Sequence, residues 1–126
     1  MPPYTATILC VDDEDNQLMV RKLLLESAGY RVFTAKSGVK ALEIFDANAS
    51  IDMAIVDYWM AEMNGVALAE QLKQRKPSLR VVILSAFGEL PGESLGIAEL
   101  WLRKGLPPAE LLKAIAILLP NVSSQA

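Results

Sequence analysis

Two observations predict an α/β fold built on a parallel sheet. Apolar, β-branched runs of a few residues alternate with longer stretches of helical periodicity, the pattern of strand and helix units wound on one sheet. The runs are continuously apolar rather than alternating, so both faces of the sheet are expected to be covered. A length of 126 residues suits one domain that can bury a core without disulfides or a structural metal. We therefore expect residues 1–126 to form a single domain, with a core at about 7–119 and a polar tail at 120–126.

The strands are expected at 7–11, 31–35, 53–56, 80–84 and 100–102. The first helix should run over 15–28, with Met19 and Leu23, and Val20 and Leu24, paired at i,i+4 and Gly29 closing it. Ser37 and Asn64 read as N-caps of the second and third helices, with apolar positions Val39, Leu42 and Phe45, then Leu68 and Leu72. Pro77 stops the third helix, Pro107 and Pro108 open the last one, and Pro120 ends it. The fourth helix would fall on Gly88 to Gly96, where three glycines and a proline break helices rather than build them. A short turn of helix is the most that segment should hold.

Composition excludes several function classes. Hydrophobic residues make up 52% and charged residues 21%, which is globular, and no apolar stretch is long enough to cross a bilayer. The amino terminus has neither the basic start nor the apolar core of a signal peptide, and the single Cys10 should pack as a small hydrophobe. A soluble protein of the reducing cytoplasm, with no membrane partner, is the expectation. A net charge of −3 without a basic block gives no electrostatic footprint for direct nucleic-acid binding. The absence of histidine removes Ser-His-Asp and Cys-His nucleophile systems and every zinc site that needs imidazole.

What remains is carboxylates, hydroxyls and lysines, and these gather at strand ends. Asp12, Asp13, Glu14 and Asp15 follow the first apolar run, Asp57 the third, Ser85 the fourth and Lys104 the fifth. In an open parallel sheet, ligands collect at the carboxyl ends of the strands. Crowded carboxylates repel unless a proton or a cation relieves them, and a hard divalent ion does so well. Taken singly, each residue has a plain alternative: Glu14 and Asp15 suit a helix start, Asp57 a turn, Ser85 a cap and Lys104 a solvated surface. Their agreement at one rim favours a site.

On these residues the chain resembles the receiver domain of two-component response regulators, from Thr7 to Leu119. The resemblance rests on Asp12-Asp13, on Asp57-Tyr58-Trp59-Met60 ahead of Asn64-Gly65, on Ser85-Ala86, on the aromatic Trp101 and on Lys104, in the family's order and close to its spacing. It implies a flavodoxin-like, doubly wound five-stranded parallel sheet of order 2-1-3-4-5. It also implies that Asp57 accepts a phosphoryl group and that Mg²⁺ (or Mn²⁺) is held by Asp13, Asp57 and the backbone carbonyl of Trp59, with Asp12 acting through water. Lys104 would neutralise the phosphoryl oxygens, Ser85 would donate to one of them, and Ser85 and Trp101 would form the switch. The implied partners are a sensor histidine kinase or a histidine phosphotransfer protein, and a downstream protein or a second copy docking through the fourth helix, fifth strand and last helix. Such a protein is phosphorylated and dephosphorylated on itself and is not a turnover enzyme.

The chain departs from the family at three places. Gly105 stands where a cis-proline usually follows the lysine, so that loop loses a rigid constraint. Ala61 replaces a proline expected soon after the phosphoacceptor, and the stretch from Ser85 to Lys104 is about one helical turn short. A receiver-shaped interaction module not controlled by phosphorylation is the alternative these departures keep open. A small haloacid-dehalogenase-like phosphatase is a further alternative, from Asp12 and Glu14, although the second acid should be aspartate and there is no length for a cap. Two apolar features add expectations. Leu111, Leu112, Ile115, Ile117, Leu118 and Leu119 exceed one helical face, so some should be exposed, and Trp59 and Phe87 should shield an acyl phosphate from water.

Overall fold

The computed structural model describes residues 6–86 and 96–119. Five parallel strands, β1 (Thr7–Val11), β2 (Arg31–Ala35), β3 (Met53–Asp57), β4 (Arg80–Ser85) and β5 (Leu100–Arg103), lie in the order β2-β1-β3-β4-β5. Among the described residues four helices connect or cover them: α1 (Asp15–Ser27), α2 (Gly38–Ala47), α3 (Gly65–Arg75) and α4 (Pro108–Leu118). This is the expected flavodoxin-like, doubly wound sheet.

Hydrophobicity places the layers. Every residue of β1 and β3 is buried, as is all of β4 after Arg80, because strands covered on two faces have no solvent side. One core cluster joins the sheet to α2 and α3 through Ala41, Phe45, Leu68, Ala69 and Leu72. The other joins it to α1 and α4 through Leu18, Leu25, Leu111 and Ile115. Cys10 packs inside as a small hydrophobe, and burial pushes its thiol up to about 12, so it stays protonated and inert.

Local chemistry bounds the helices as expected. Ser37 Oγ accepts from Lys40 N at 3.1 Å and Asn64 Oδ1 from Ala67 N at 2.9 Å, each capping its helix. Gly29 takes φ 97° just past α1, a left-handed position that favours glycine. Pro107 and Pro108 open α4, where the missing N–H costs nothing. Strands β3, β4 and β5 each run one residue beyond the expected end, so Asp57 and Ser85 close their own ladders, opposite Leu84 and Arg103.

Two helical faces differ from expectation. The inward stripe of α1 is Leu18, Arg21 and Leu25, whereas Met19, Val20 and Leu23 are 62%, 65% and 63% exposed. An apolar run on both sides of the helix offers two stripes about one residue apart, and packing against the sheet selects the one holding Arg21. In α2, Val39 faces solvent while Phe45 is buried. In α4, Leu111, Ile115 and Leu119 are buried and Ile117 is exposed, so the surplus apolar surface narrows to one large side chain flanked by half-buried Leu112 and Leu118. Phe87, most of the fourth-helix segment (88–95) and the tail at 120–126 lie outside the described residues.

Candidate functional site

Parallel pairing in register brings the strand ends to one rim. Asp12 N donates to Ala35 O at 3.1 Å and Tyr58 N to Leu84 O at 2.8 Å, so the chain stays in the ladder as it enters each loop. Lys104 N donates to Ser85 O at 2.7 Å, continuing the β4–β5 pairing into the lysine's loop. Close approach of α3 matters as well. A Cβ on Gly65 would sit 2.8 Å from Asp57 O, and Gly65 N donates to Tyr58 O at 2.9 Å, so a glycine there lets the helix start press against the end of β3.

The structure brings together Asp12, Asp13 and Asp57, each offering a carboxylate oxygen within 4.8 Å of the others. Asp12 and Asp57 are buried and Asp13 is exposed, so the cluster opens to solvent on one side. Lys104 reaches over it. Its Nζ lies 3.0 Å from Asp12 Oδ2, 3.1 Å from Asp57 Oδ2 and 3.3 Å from Glu14 Oε1. Among the described residues no peptide is cis, and Gly105 adopts φ 91°, which proline cannot. The rigid constraint lost with proline is thus replaced by three carboxylates and a backbone bond that fix the lysine. Ser85, 4% exposed, stands on the strand next to Asp57.

Charge crowding sets the electrostatics. Burial pushes the Asp57 carboxyl above its ordinary range and Asp12 beside it adds to this, while Lys104 and the Trp59 N–H pull it back without cancelling the rise. Burial alone would lower Lys104, but its bonds to Asp12 and Asp57 outweigh that and raise it, so it stays a cation. Hard oxygen donors converging on one open point are the chemistry that a divalent cation needs. Neither helix periodicity nor motif spacing revealed one member: Arg21 on α1 has its guanidinium Nη1 3.5 Å from Asp12 Oδ2, with a side chain 8% exposed. Its register with Leu18 and Leu25 is the signal that could have found it.

Aromatic packing leads away from the rim. Tyr58 meets Trp59 edge to face, centroids 5.0 Å apart, and Trp101 on β5 at 5.9 Å. Trp59 is 56% exposed, whereas the Trp101 indole nitrogen is buried with no acceptor among the described residues.

Comparison with known proteins agrees with this architecture. The sequence profile of the response regulator receiver domain matches residues 8–116. The chain is 34% identical to a response regulator receiver domain protein of Clostridium thermocellum, whose crystal structure superposes with a TM-score of 0.85 over 96% of this chain and 99% of that one. It is 29% identical to the response regulator TrrA of Thermotoga maritima, solved in complex with Mg²⁺-BeF, with a TM-score of 0.84 over 90% and 99% of the two chains. Over 86 residues, 68% of this chain, it is 37% identical to the sensor kinase CckA of Brucella abortus, of which the match spans 9%. The chain belongs to the receiver domain family of two-component response regulators. Receiver domains are signalling domains, not turnover enzymes, and they bind Mg²⁺ at an acidic pocket of the kind formed by Asp12, Asp13 and Asp57.

Proposed function

We propose that residues 1–126 act as one phosphoacceptor domain of a phosphorelay, in which Asp57 takes a phosphoryl group from a histidine of a partner kinase or phosphotransfer protein. The single observation that carries this is Lys104 Nζ poised 3.1 Å from Asp57 Oδ2 above a cluster of three aspartates. Asp57 attacks phosphorus, the phosphorus–nitrogen bond of the donor breaks, and its electron pair returns to the imidazole. No base is needed, because the nucleophile is already an anion. Asp13, Asp57 and the Trp59 carbonyl would hold Mg²⁺ or Mn²⁺, with Asp12 linked through water. When bound, that ion offsets the repulsion between carboxylate and phosphoryl oxygens. Lys104 balances charge on the transferred group and Ser85 donates a hydrogen bond to it, so catalysis is positioning and electrostatics.

Ser85 and Trp101 would then read the new charge out towards β5 and α4, where a downstream protein or a second copy docks. The relay belongs in the cytoplasm, where kinase and nucleotide meet, and no helix among the described residues is long and apolar enough to cross a membrane. Incubation with a small-molecule phosphodonor and Mg²⁺, followed by intact mass, tests the assignment. One added phosphoryl group in the wild type and none in Asp57→Ala is the expected result. No addition to the wild type would support an interaction module independent of phosphorylation.

A further inference from the structure

Arg21 occupies a position that hydrophobic packing would give to an aliphatic residue. It lies between Leu18 and Leu25 on the inward stripe of α1, and it lines a cleft of about 190 Å³ beside Leu24, Leu84, Leu106 and Leu111. Burying a guanidinium there gains little stability, since a buried ion pair is often no better than a well-packed apolar pair. The charge is instead aimed at the site. Asp12 Oδ2, fully buried, meets Lys104 Nζ at 3.0 Å from one direction and Arg21 Nη1 at 3.5 Å from another, while Oδ1 accepts from Glu14 N at 3.0 Å. Arg21 Nη1 is buried and has no hydrogen-bond partner among the described residues, so this nitrogen acts on Asp12 through charge.

Four carboxylates, Asp12, Asp13, Glu14 and Asp57, face two cations, Lys104 and Arg21, leaving the two negative charges that one divalent ion cancels. Without Arg21 the surplus would be three. We infer that Arg21 is a positioning residue of the phosphoacceptor site, a resident cation beneath Asp12 that keeps the aspartates together before metal arrives and holds Mg²⁺ affinity down. The inference rests on the phosphoacceptor reading of that site. Repulsion between one guanidinium and a divalent ion several ångströms away is worth on the order of tenfold in affinity even at water-like dielectric. A site so tuned fills and empties with Mg²⁺ concentration rather than holding the ion permanently.

The test is calorimetric titration of the whole chain with MgCl₂, without phosphodonor, for wild type, Arg21→Leu, Arg21→Gln and Arg21→Lys, each with a urea unfolding curve in EDTA. The cleft leaves room for each side chain, and the glutamine variant carries the measurement if the leucine variant does not fold. The neutral variants should bind Mg²⁺ about tenfold more tightly and unfold at lower urea in EDTA, with Mg²⁺ restoring more stability than it adds to wild type. Arg21→Lys should stay near wild type in both. Wild-type affinity or weaker in folded neutral variants would overturn the role of Arg21 and leave the phosphoacceptor reading standing. A wild type that binds no divalent ion would overturn both.

Discussion

Helices α1 and α3 lie on opposite faces of the same sheet and were built by opposite rules. Helix α3 is regular: Asn64 caps it, Leu68, Ala69 and Leu72 are buried, and its basic end ties outward through Arg75 to Asp46 at 2.8 Å. Helix α1 is inverted. It buries Arg21, leaves Met19, Val20 and Leu23 in solvent, and starts at Glu14 without a side-chain cap. The first helix gives up packing to put a charge under Asp12 and an apolar surface beside the acidic rim. The difference shows that α1 combines core packing through Leu18 and Leu25 with a buried charge at the site, whereas α3 is packed throughout and meets the site only where Gly65 presses on Asp57.

The largest contrast is in packing. Leu72→Ala on α3 removes a side chain with no exposed surface and should cost about 2–5 kcal/mol, whereas Leu23→Ala on α1 should change stability by less than about 0.5 kcal/mol. Urea midpoints measure both, and equal losses would erase the distinction between the helices. Next in size is Gly65→Ala at the start of α3, where the new Cβ meets Asp57 O at 2.8 Å. Overpacking of this kind costs about 1–3 kcal/mol and should also slow phosphorylation by shifting the end of β3. A stable, fully active variant would show that the approach of α3 is not needed by the site.

A smaller effect divides the two regions by pH. Burial would raise the Glu99 carboxyl, but Lys73 of α3 at 2.7 Å and the Val81 N–H at 2.8 Å outweigh it and hold it below the ordinary value. Its stabilisation is therefore present above the unfolded-state pKa and lost as pH falls through the folded one. Asp57 has the opposite sign: its raised pKa makes the charged site a burden at neutral pH, one that protonation relieves as pH falls into the window above the ordinary aspartate value. Acid urea titrations should show Glu99→Gln flattening a loss of stability and Asp57→Asn flattening a gain, with the Glu99 pair worth less than about 1 kcal/mol. If both substitutions alter the curve in one direction, the assigned signs are wrong.

The smallest expected change in stability is at Trp59, more than half exposed beside the acidic rim. Trp59→Asn should leave the urea midpoint within about 0.5 kcal/mol of wild type yet hasten decay of the phosphorylated state by admitting water. Decay followed by intact mass checks it, and an unchanged lifetime would mean that the ring only packs on Tyr58.

Much of the site was legible because it is local. Asp12, Asp13, Asp57, Ser85 and Lys104 each stand at or just past the end of an apolar run, and a parallel sheet sends all such ends to one rim. Caps such as Ser37 and Asn64 were legible for the same reason, since each bonds to an N–H three residues on. Arg21 was not. An arginine on a helix reads as a solvent-side charge, and only the packing of α1 on the sheet turned it inward while turning Met19 and Leu23 out. Gly105 was read as a loosened lysine, but three carboxylates, two from the loop between β1 and α1 and one from the end of β3, hold Lys104 in place. The sequence by itself determined the strands, their order through the family resemblance, and the residues that meet at the rim, because these follow from short-range pattern. Which face of α1 is buried, and which charges balance the aspartates, was decided by tertiary structure, because both depend on groups far apart in the chain meeting where water is excluded.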